Sequence, residues 1–149
     1  MIRVERVAAD VVRPLRQQIL RPHQTVAEQV YEGDDAPGAA HFAAFAEGDE
    51  QPMGIASITP EPHPVAPADG DWRIRGMATD PERGRGLGAG ALLLAACLDH
   101  ARAAGAVRVW CNARSPAVGF YTRAGFATEG EEFALPAIGP HFLMSLTLR

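Results

Sequence analysis

Thr79-Asp80-Pro81-Glu82-Arg83-Gly84-Arg85-Gly86-Leu87-Gly88-Ala89-Gly90 is the stretch that decides how this chain is read. It follows a strand-like segment and runs straight into a long apolar helix. A glycine-rich turn at a helix start leaves backbone N–H groups uncovered, and the positive end of the helix dipole points at whatever sits there. Arg83 and Arg85 add guanidinium groups suited to phosphate oxygens. The combination predicts a diphosphate cradle.

Around the cradle the pattern is regular. Trp72–Thr79 is expected as the preceding strand and Gly86–Ala104 as the following helix, ended by Gly105. Leu87, Ala91, Leu94 and Leu98 fall on one stripe of that helix, while Ala89, Leu93 and Ala96 cover another side, so it should lie against a sheet with little surface in water. Val107–Asn112 reads as a short apolar strand, and strand–helix–strand at this spacing implies a right-handed parallel crossover. Upstream, Ile2–Val7 has the β-branched character of an edge strand. Ala9–Leu20 and Thr25–Glu32 are expected as two helices separated by Arg21-Pro22-His23. Ala40–Ala46 and Gly54–Thr59 read as a strand pair, and the proline-rich Thr59–Asp71 as a loop. Downstream come a short helix, Ser115–Ala124, and two strands, Phe126–Leu135 and His141–Leu148. One domain spanning 1–149 follows, since neither side of the proline-rich loop could build a core alone.

Composition removes several kinds of chemistry. All fourteen basic residues are arginine. Without lysine there is no Schiff-base amine, no pyridoxal phosphate anchor and no phosphate-loop lysine. A formal charge of -4 and a pI near 5.7 argue against general nucleic-acid binding. No apolar run approaches the roughly 20 residues that span a bilayer. Met1–Arg6 has no apolar signal region, so no signal peptide and a cytoplasmic protein are expected. Cys97 and Cys111 make neither a disulfide framework nor a metal box, and no cluster has metal-ligand spacing. His63 and His100 are expected at the surface. The oligomeric state is left open, a homodimer included.

A dinucleotide fold would offer G-x-G-x-x-G after its first strand and an acidic residue about 20 residues on. Here the glycines alternate, the cradle lies mid-chain, and the following strand ends in Asn112. The better match is R/Q-x-x-G-x-G/A, carried by Arg83-Gly84-Arg85-Gly86-Leu87-Gly88, with Ala117-Val118-Gly119-Phe120-Tyr121-Thr122-Arg123-Ala124-Gly125-Phe126 downstream. Together these resemble the GNAT superfamily of acyl-CoA-dependent N-acyltransferases. Trp72–Thr79, Trp110–Arg114 and Gly139-Pro140-His141 also resemble its bacterial YjcF-like or ElaA-like branch.

The resemblance implies an α/β fold with a mixed, mostly antiparallel central sheet, a splayed parallel strand pair and flanking helices. It implies acetyl-CoA as co-substrate, no metal, and a small-molecule or peptide amine as acceptor. Pantetheine would lie between the splayed strands against Met77, Ala78 and Thr79, with Asn112, Arg114, Phe120 and Tyr121 near it. The diphosphate would lie on Arg83, Gly84, Arg85, Gly86, Leu87, Gly88, Ala89 and Gly90. The glycines have a second reading, close helix–sheet packing. Tyr121 matches the family's general acid, and the Met77 amide would polarise the thioester carbonyl. Several members carry a glutamate where this chain has Arg73, which leaves Glu132 and His141 as candidate bases acting through water. Arg73 and Arg75, two apart and sharing a strand face with Met77 and Thr79, are suited to a substrate carboxylate or phosphate, or to internal pairing with Asp34, Asp35 or Glu28. His41 begins a strand near the expected acceptor site. A non-catalytic acyl-CoA sensor and a nucleotide-binding module are the alternatives.

Overall fold

The computed structural model describes residues 1–84 and 86–148. The strands are β1 (Ile2–Val7), β2 (Ala40–Ala46), β3 (Gly54–Pro60), β4 (Asp71–Thr79), β5 (Arg108–Arg114), β6 (Ala127–Leu135) and β7 (Gly139–Thr147). The helices are α1 (Ala9–Leu15), continued by a wide turn at Arg16–Leu20, α2 (Ala89–Ala103) and α3 (Val118–Arg123). The strands form one sheet in the order β1-β2-β3-β4-β5-β7-β6. Only β4 and β5 are parallel, and α2 is the crossover between them.

The α2 helix starts at Ala89, three residues later than the pattern implied, because Gly86 (φ +75) and Gly88 (φ +79) are left-handed and cannot propagate a right-handed helix. Its buried face is Ala89, Leu93, Leu94, Cys97, Leu98 and Ala101. Ala91 and Leu87 of the expected apolar stripe instead face water. The main core lies between this helix and the sheet, and includes Ile58, Val109 and Met144. A smaller core on the other face joins Val12 and Leu15 of α1 to Ala43, Phe45, Ile55 and Ala78. No described helix is long and apolar enough to cross a membrane.

The expected helix over Thr25–Glu32 is not formed. A capping box does close there, with the Thr25 N–H donating to Glu28 at 3.0 Å and the Glu28 N–H to the Thr25 hydroxyl at 3.3 Å. The turn then stops, because the Gln29 side chain takes the Thr25 carbonyl at 2.9 Å, where the next helical N–H would bond. The buried guanidinium of Arg16 takes the Gln29 carbonyl at 2.8 Å. A tertiary partner thus captures the backbone that local propensity would have coiled.

Two features of β4 position the site. First, Gly76 and Met77 stand opposite the single residue Ala56, a bulge with Gly76 at φ +62. An extra residue swaps the faces of a strand, so Trp72 and Ile74 point toward α2 but Ala78 points toward α1. Arg73 and Arg75 therefore lie on the α1 face, opposite the face of Met77, and the shared face expected from simple alternation is corrected. Second, β4 pairs with β5 only at Asp71–Arg73 against Arg108–Trp110, and beyond that the strands separate.

Asp71 latches the paired end. Arg108 grips it through two hydrogen bonds, of 2.8 and 2.9 Å, and the His63 and Ala68 amides add bonds of 3.0 and 2.8 Å. Arg108 above all, with those amides, holds the Asp71 carboxyl down to about 2 from 3.8 despite its burial. A lowered folded-state value means stability that is complete above about pH 4 and lost as pH falls through about 2. Asp71→Asn should therefore cost about 2 kcal/mol at pH 7 and flatten the acid limb of stability between pH 4 and 2, measured by urea unfolding across that range.

Candidate active site

Where β4 and β5 part, a cleft of about 160 Å³ opens. One wall carries Met77 of β4, Cys111 of β5, and Phe120 and Tyr121 of α3, while Asn112 lines the cleft from the other face of β5, two residues from Arg114. The cradle leads into it from the end of β4. The Asp80 carboxylate accepts the amides of Glu82 (2.9 Å) and Arg83 (3.2 Å), and its carbonyl accepts that of Gly84 (2.8 Å), which coils the turn. Both reasons for the glycines hold, at different positions. A Cβ on Gly84 would come within 2.4 Å of Thr79 Cγ2, and one on Gly90 within 3.1 Å of the Phe120 ring, so these two permit close packing. Gly86 and Gly88 instead supply left-handed backbone, and a Cβ there would meet nothing within 4 Å. The helix start has no side-chain cap among the described residues, so no side chain takes up its first N–H groups there. That is the arrangement a phosphate fits.

The expected donor-side residues divide. Arg83 is already engaged, donating to Asp49 at 2.5 Å and to the Gln51 and Pro52 carbonyls at 3.0 and 3.1 Å, so it braces the β2–β3 turn behind the cradle. Ala78 is buried in the smaller core, and Ala89, the first residue of α2, in the main one, so neither side chain lines the cleft. Leu87 is exposed on the cradle. Thr79 packs against Gly84 and Gly90. Arg85 lies outside the described residues. Arg114 lines the cleft and donates to the Leu20 carbonyl at 2.5 Å.

Tyr121 lines the cleft with its ring edge-on between Phe120 (5.1 Å) and Phe126 (5.4 Å). Burial, with the Cys111 and Cys97 thiols nearby, raises its hydroxyl well above the ordinary phenol value, so it is protonated at neutral pH. Burial also pushes Cys111 up to about 12, leaving a thiol and not a nucleophilic thiolate. His141 lines the same cleft, buried and stacked on Phe133. Its Nδ1 lies 2.8 Å from the Gly139 carbonyl, which can only accept, so Nδ1 is the donor of that bond and Nε2 is the ring's acceptor position in the neutral imidazole. Glu132 is not in the cleft. It lies exposed on a bulge of β6 and accepts the Ser115 hydroxyl at 2.7 Å.

The opposite wall is cationic, formed by Arg21, Arg73, Arg75 and Arg114 around Tyr31. Arg73 pairs with Glu61 at 2.9 Å and lies over Trp110. The guanidinium carbons of Arg16, Arg75 and Arg21 lie 3.9, 4.4 and 4.9 Å from the centre of the Tyr31 ring. Behind it, fully buried Arg16 pairs twice with Asp34 (2.7 and 3.0 Å) and donates to Ser57 Oγ at 2.9 Å. Asp34 thus serves Arg16 and neither Arg73 nor Arg75. His41 belongs to this network and not to the cleft, with Nδ1 2.6 Å from Ser57 Oγ and Nε2 donating to the Asp34 carbonyl at 3.0 Å. His63 is buried, not at the surface. Its Nδ1 accepts two amides and its Nε2 donates to Glu129 at 3.0 Å. His100 is partly buried and donates to the Gly38 carbonyl at 2.8 Å.

Tyr31, Arg21 and Arg16 carry no motif, and only the buried pair with Asp34 reveals their part. Asp80 did have a signal, the Asp-Pro turn signature ahead of the glycines.

Residues 9–126 match the acetyltransferase (GNAT) family. The chain is 36% identical over 149 residues to YitI of Bacillus subtilis (strain 168), an uncharacterized N-acetyltransferase, covering all of this chain and 98% of that one. The chain belongs to the GNAT acetyltransferase family and is an acyltransferase. Two solved structures below 25% identity share its fold. Escherichia coli ElaA has a TM-score of 0.75 at 16% identity, over 97% of this chain and 99% of that one. A chain of the NatC complex bound to Gag peptide and CoA has 0.79 at 16%, over 99% of each.

The bulge that separates the two walls rests on Gly76, where an added Cβ would lie 3.1 Å from Arg16 Nε at a positive φ. Gly76→Ala should destabilise the fold by about 1–2 kcal/mol. Calorimetry should show Tm falling by roughly 2–8 °C, and an unchanged Tm would mean the bulge is not strained by a side chain.

Proposed function

We propose that the cleft transfers the acetyl group of acetyl-CoA to a primary amine by direct attack in a ternary complex. The observation that carries this is the placement of a protonated Tyr121 and the His141 imidazole in one cleft, beside the end of β4 at Met77 that β5 leaves unpaired. The open amides of the cradle would receive the diphosphate of the donor. An apolar groove of about 240 Å³ between α2 and α3, with Arg123 on its wall, offers a surface for the nucleotide end. The relative NatC was crystallised with CoA, and an aminoglycoside 6'-N-acetyltransferase of the same fold with coenzyme A, which supports that donor.

In the step proposed, the amine nitrogen forms a bond to the thioester carbonyl carbon while the Met77 N–H stabilises the developing oxyanion. The carbon–sulfur bond then breaks, and the departing thiolate takes the Tyr121 proton. His141 Nε2 accepts the proton lost by nitrogen, directly or through one water. One proton leaves the amine and one reaches sulfur, so the products are an amide and free CoA. The raised hydroxyl keeps Tyr121 protonated at neutral pH but makes it a weaker acid toward sulfur, so its contribution depends on its position at the departing thiolate. The thiol state of Cys111 supports direct transfer over an acyl-cysteine intermediate.

Tyr121→Phe should lower kcat by about 100-fold or more in a thiol-release assay while leaving the KM for acetyl-CoA within about threefold. An unchanged kcat would remove Tyr121 as the acid. His141→Gln should lower kcat by about 100-fold or more at neutral pH in the same assay, and an unchanged kcat would remove His141 as the base.

A further inference from the structure

The cleft is charged in a way that its proposed chemistry does not require. Four arginines and a histidine line it, whereas none of the eighteen acidic residues does, in a chain whose net charge is -4. Pantetheine and an acetyl group are uncharged, so the donor gives these cations nothing to neutralise. Arg73 has Glu61, and Arg114 has a carbonyl. Among the described residues Arg75 and Arg21 form no ion pair, and their contact is the face of Tyr31. The Arg73 Nε–H is buried with no hydrogen-bond partner among the described residues. A buried unpaired donor and two unpaired guanidinium groups on one wall are costly to maintain in the empty protein, and a single anion would relieve all three.

Their mounting indicates a built site. Arg75 is half-buried, and burial with the neighbouring Arg73 charge pulls it down to about 10, so it remains cationic at neutral pH. Tyr31 aligns Arg75 and Arg21, and is itself held over Arg16, whose carboxylate partner Asp34 is oriented in turn by the Tyr31 amide at 3.0 Å. The guanidinium groups are thus presented on a rigid ring and not on free side chains. Arginine rather than lysine at each position suits planar, forked recognition of a carboxylate or a phosphate.

We infer that the acceptor is a small amine that also carries an anionic group, a carboxylate or a phosphate, held by Arg75 and Arg21 with the Nε–H of Arg73, so that its amine faces His141 and Tyr121. The inference rests on the acetyl-transfer reading of the same cleft. It predicts discrimination against a neutral amine by the energy of charge-assisted hydrogen bonds, about 10- to 100-fold in kcat/KM. It also predicts that strongly cationic acceptors such as polyamines are poor substrates, because the arginine wall repels them.

The test compares matched pairs with acetyl-CoA: free amino acids against their amides, and phosphoethanolamine against ethanolamine. A preference of at least about tenfold for the anionic member is expected, and the pair that shows it distinguishes carboxylate from phosphate. In Arg75→Gln the preference should collapse toward unity through KM, and Arg75→Lys should restore part of it. Equal rates for both members, or a preference for polyamines, would overturn the anionic acceptor while leaving acetyl transfer standing. If no amine turns over, calorimetry of N-acetylglycine against N-acetylglycinamide on the CoA-loaded protein decides the matter. Selective binding of the acid, lost in Arg75→Gln, would support the inference even with the transfer reading gone. Equal binding or none would overturn it.

Discussion

The constraint on which the rest depends is the limited partnership between β4 and β5. Parallel strands normally run side by side under a covering helix, yet here they share three residues before they part. The Asp71–Arg108 grip keeps the paired end closed, and the bulge at Gly76 re-aims β4 at the other. The edge of β4 left unpaired with β5 beyond Arg73 and the space beside it are one consequence. The exchange of faces is another, since it puts Arg73 and Arg75 on the wall opposite the cradle while Met77 stays with α3 and the donor side.

Arg16 supports the second wall as the latch supports the first. A buried guanidinium is tolerated only when its partners are good, and here it has Asp34, Ser57, the Gln29 carbonyl and the Tyr31 ring. Its position follows from the turn that succeeds Pro14, where the chain widens to an Arg21-to-Arg16 bond of 3.0 Å spanning five residues. The segment after that turn loses its expected helix to this network and brings Tyr31 to the cleft.

Much of the donor side was legible because its reasons are local. Alternating glycines ahead of an apolar run specify a left-handed turn into a helix, and the Phe120-Tyr121 pair with Gly125-Phe126 follows at the spacing of one strand and one turn. Strand edges agreed to within a residue or two, since period-two apolar patterning reports directly on two buried faces. The acceptor side was legible only in part. The charge of Arg73 and Arg75 could be read directly, but their surroundings could not, because Tyr31, Arg16 and Arg21 reach them across gaps of about fifty residues that no local pattern encodes.

The sequence by itself determined the crossover, the cradle and the acyltransferase family, all of which follow from motifs whose chemistry is written in adjacent residues. Tertiary structure alone decided what the cradle arginine does, which histidines face the cleft and on which side of β4 the arginines stand. Arg83 bonds to a turn thirty residues upstream, His41 goes to the Arg16 network while His141 goes to the cleft, and one extra residue at the bulge reverses the alternation. Each of these outcomes depends on a partner distant in the chain, and a hydrogen bond is assigned by which acceptor arrives in space, not by which lies next in sequence.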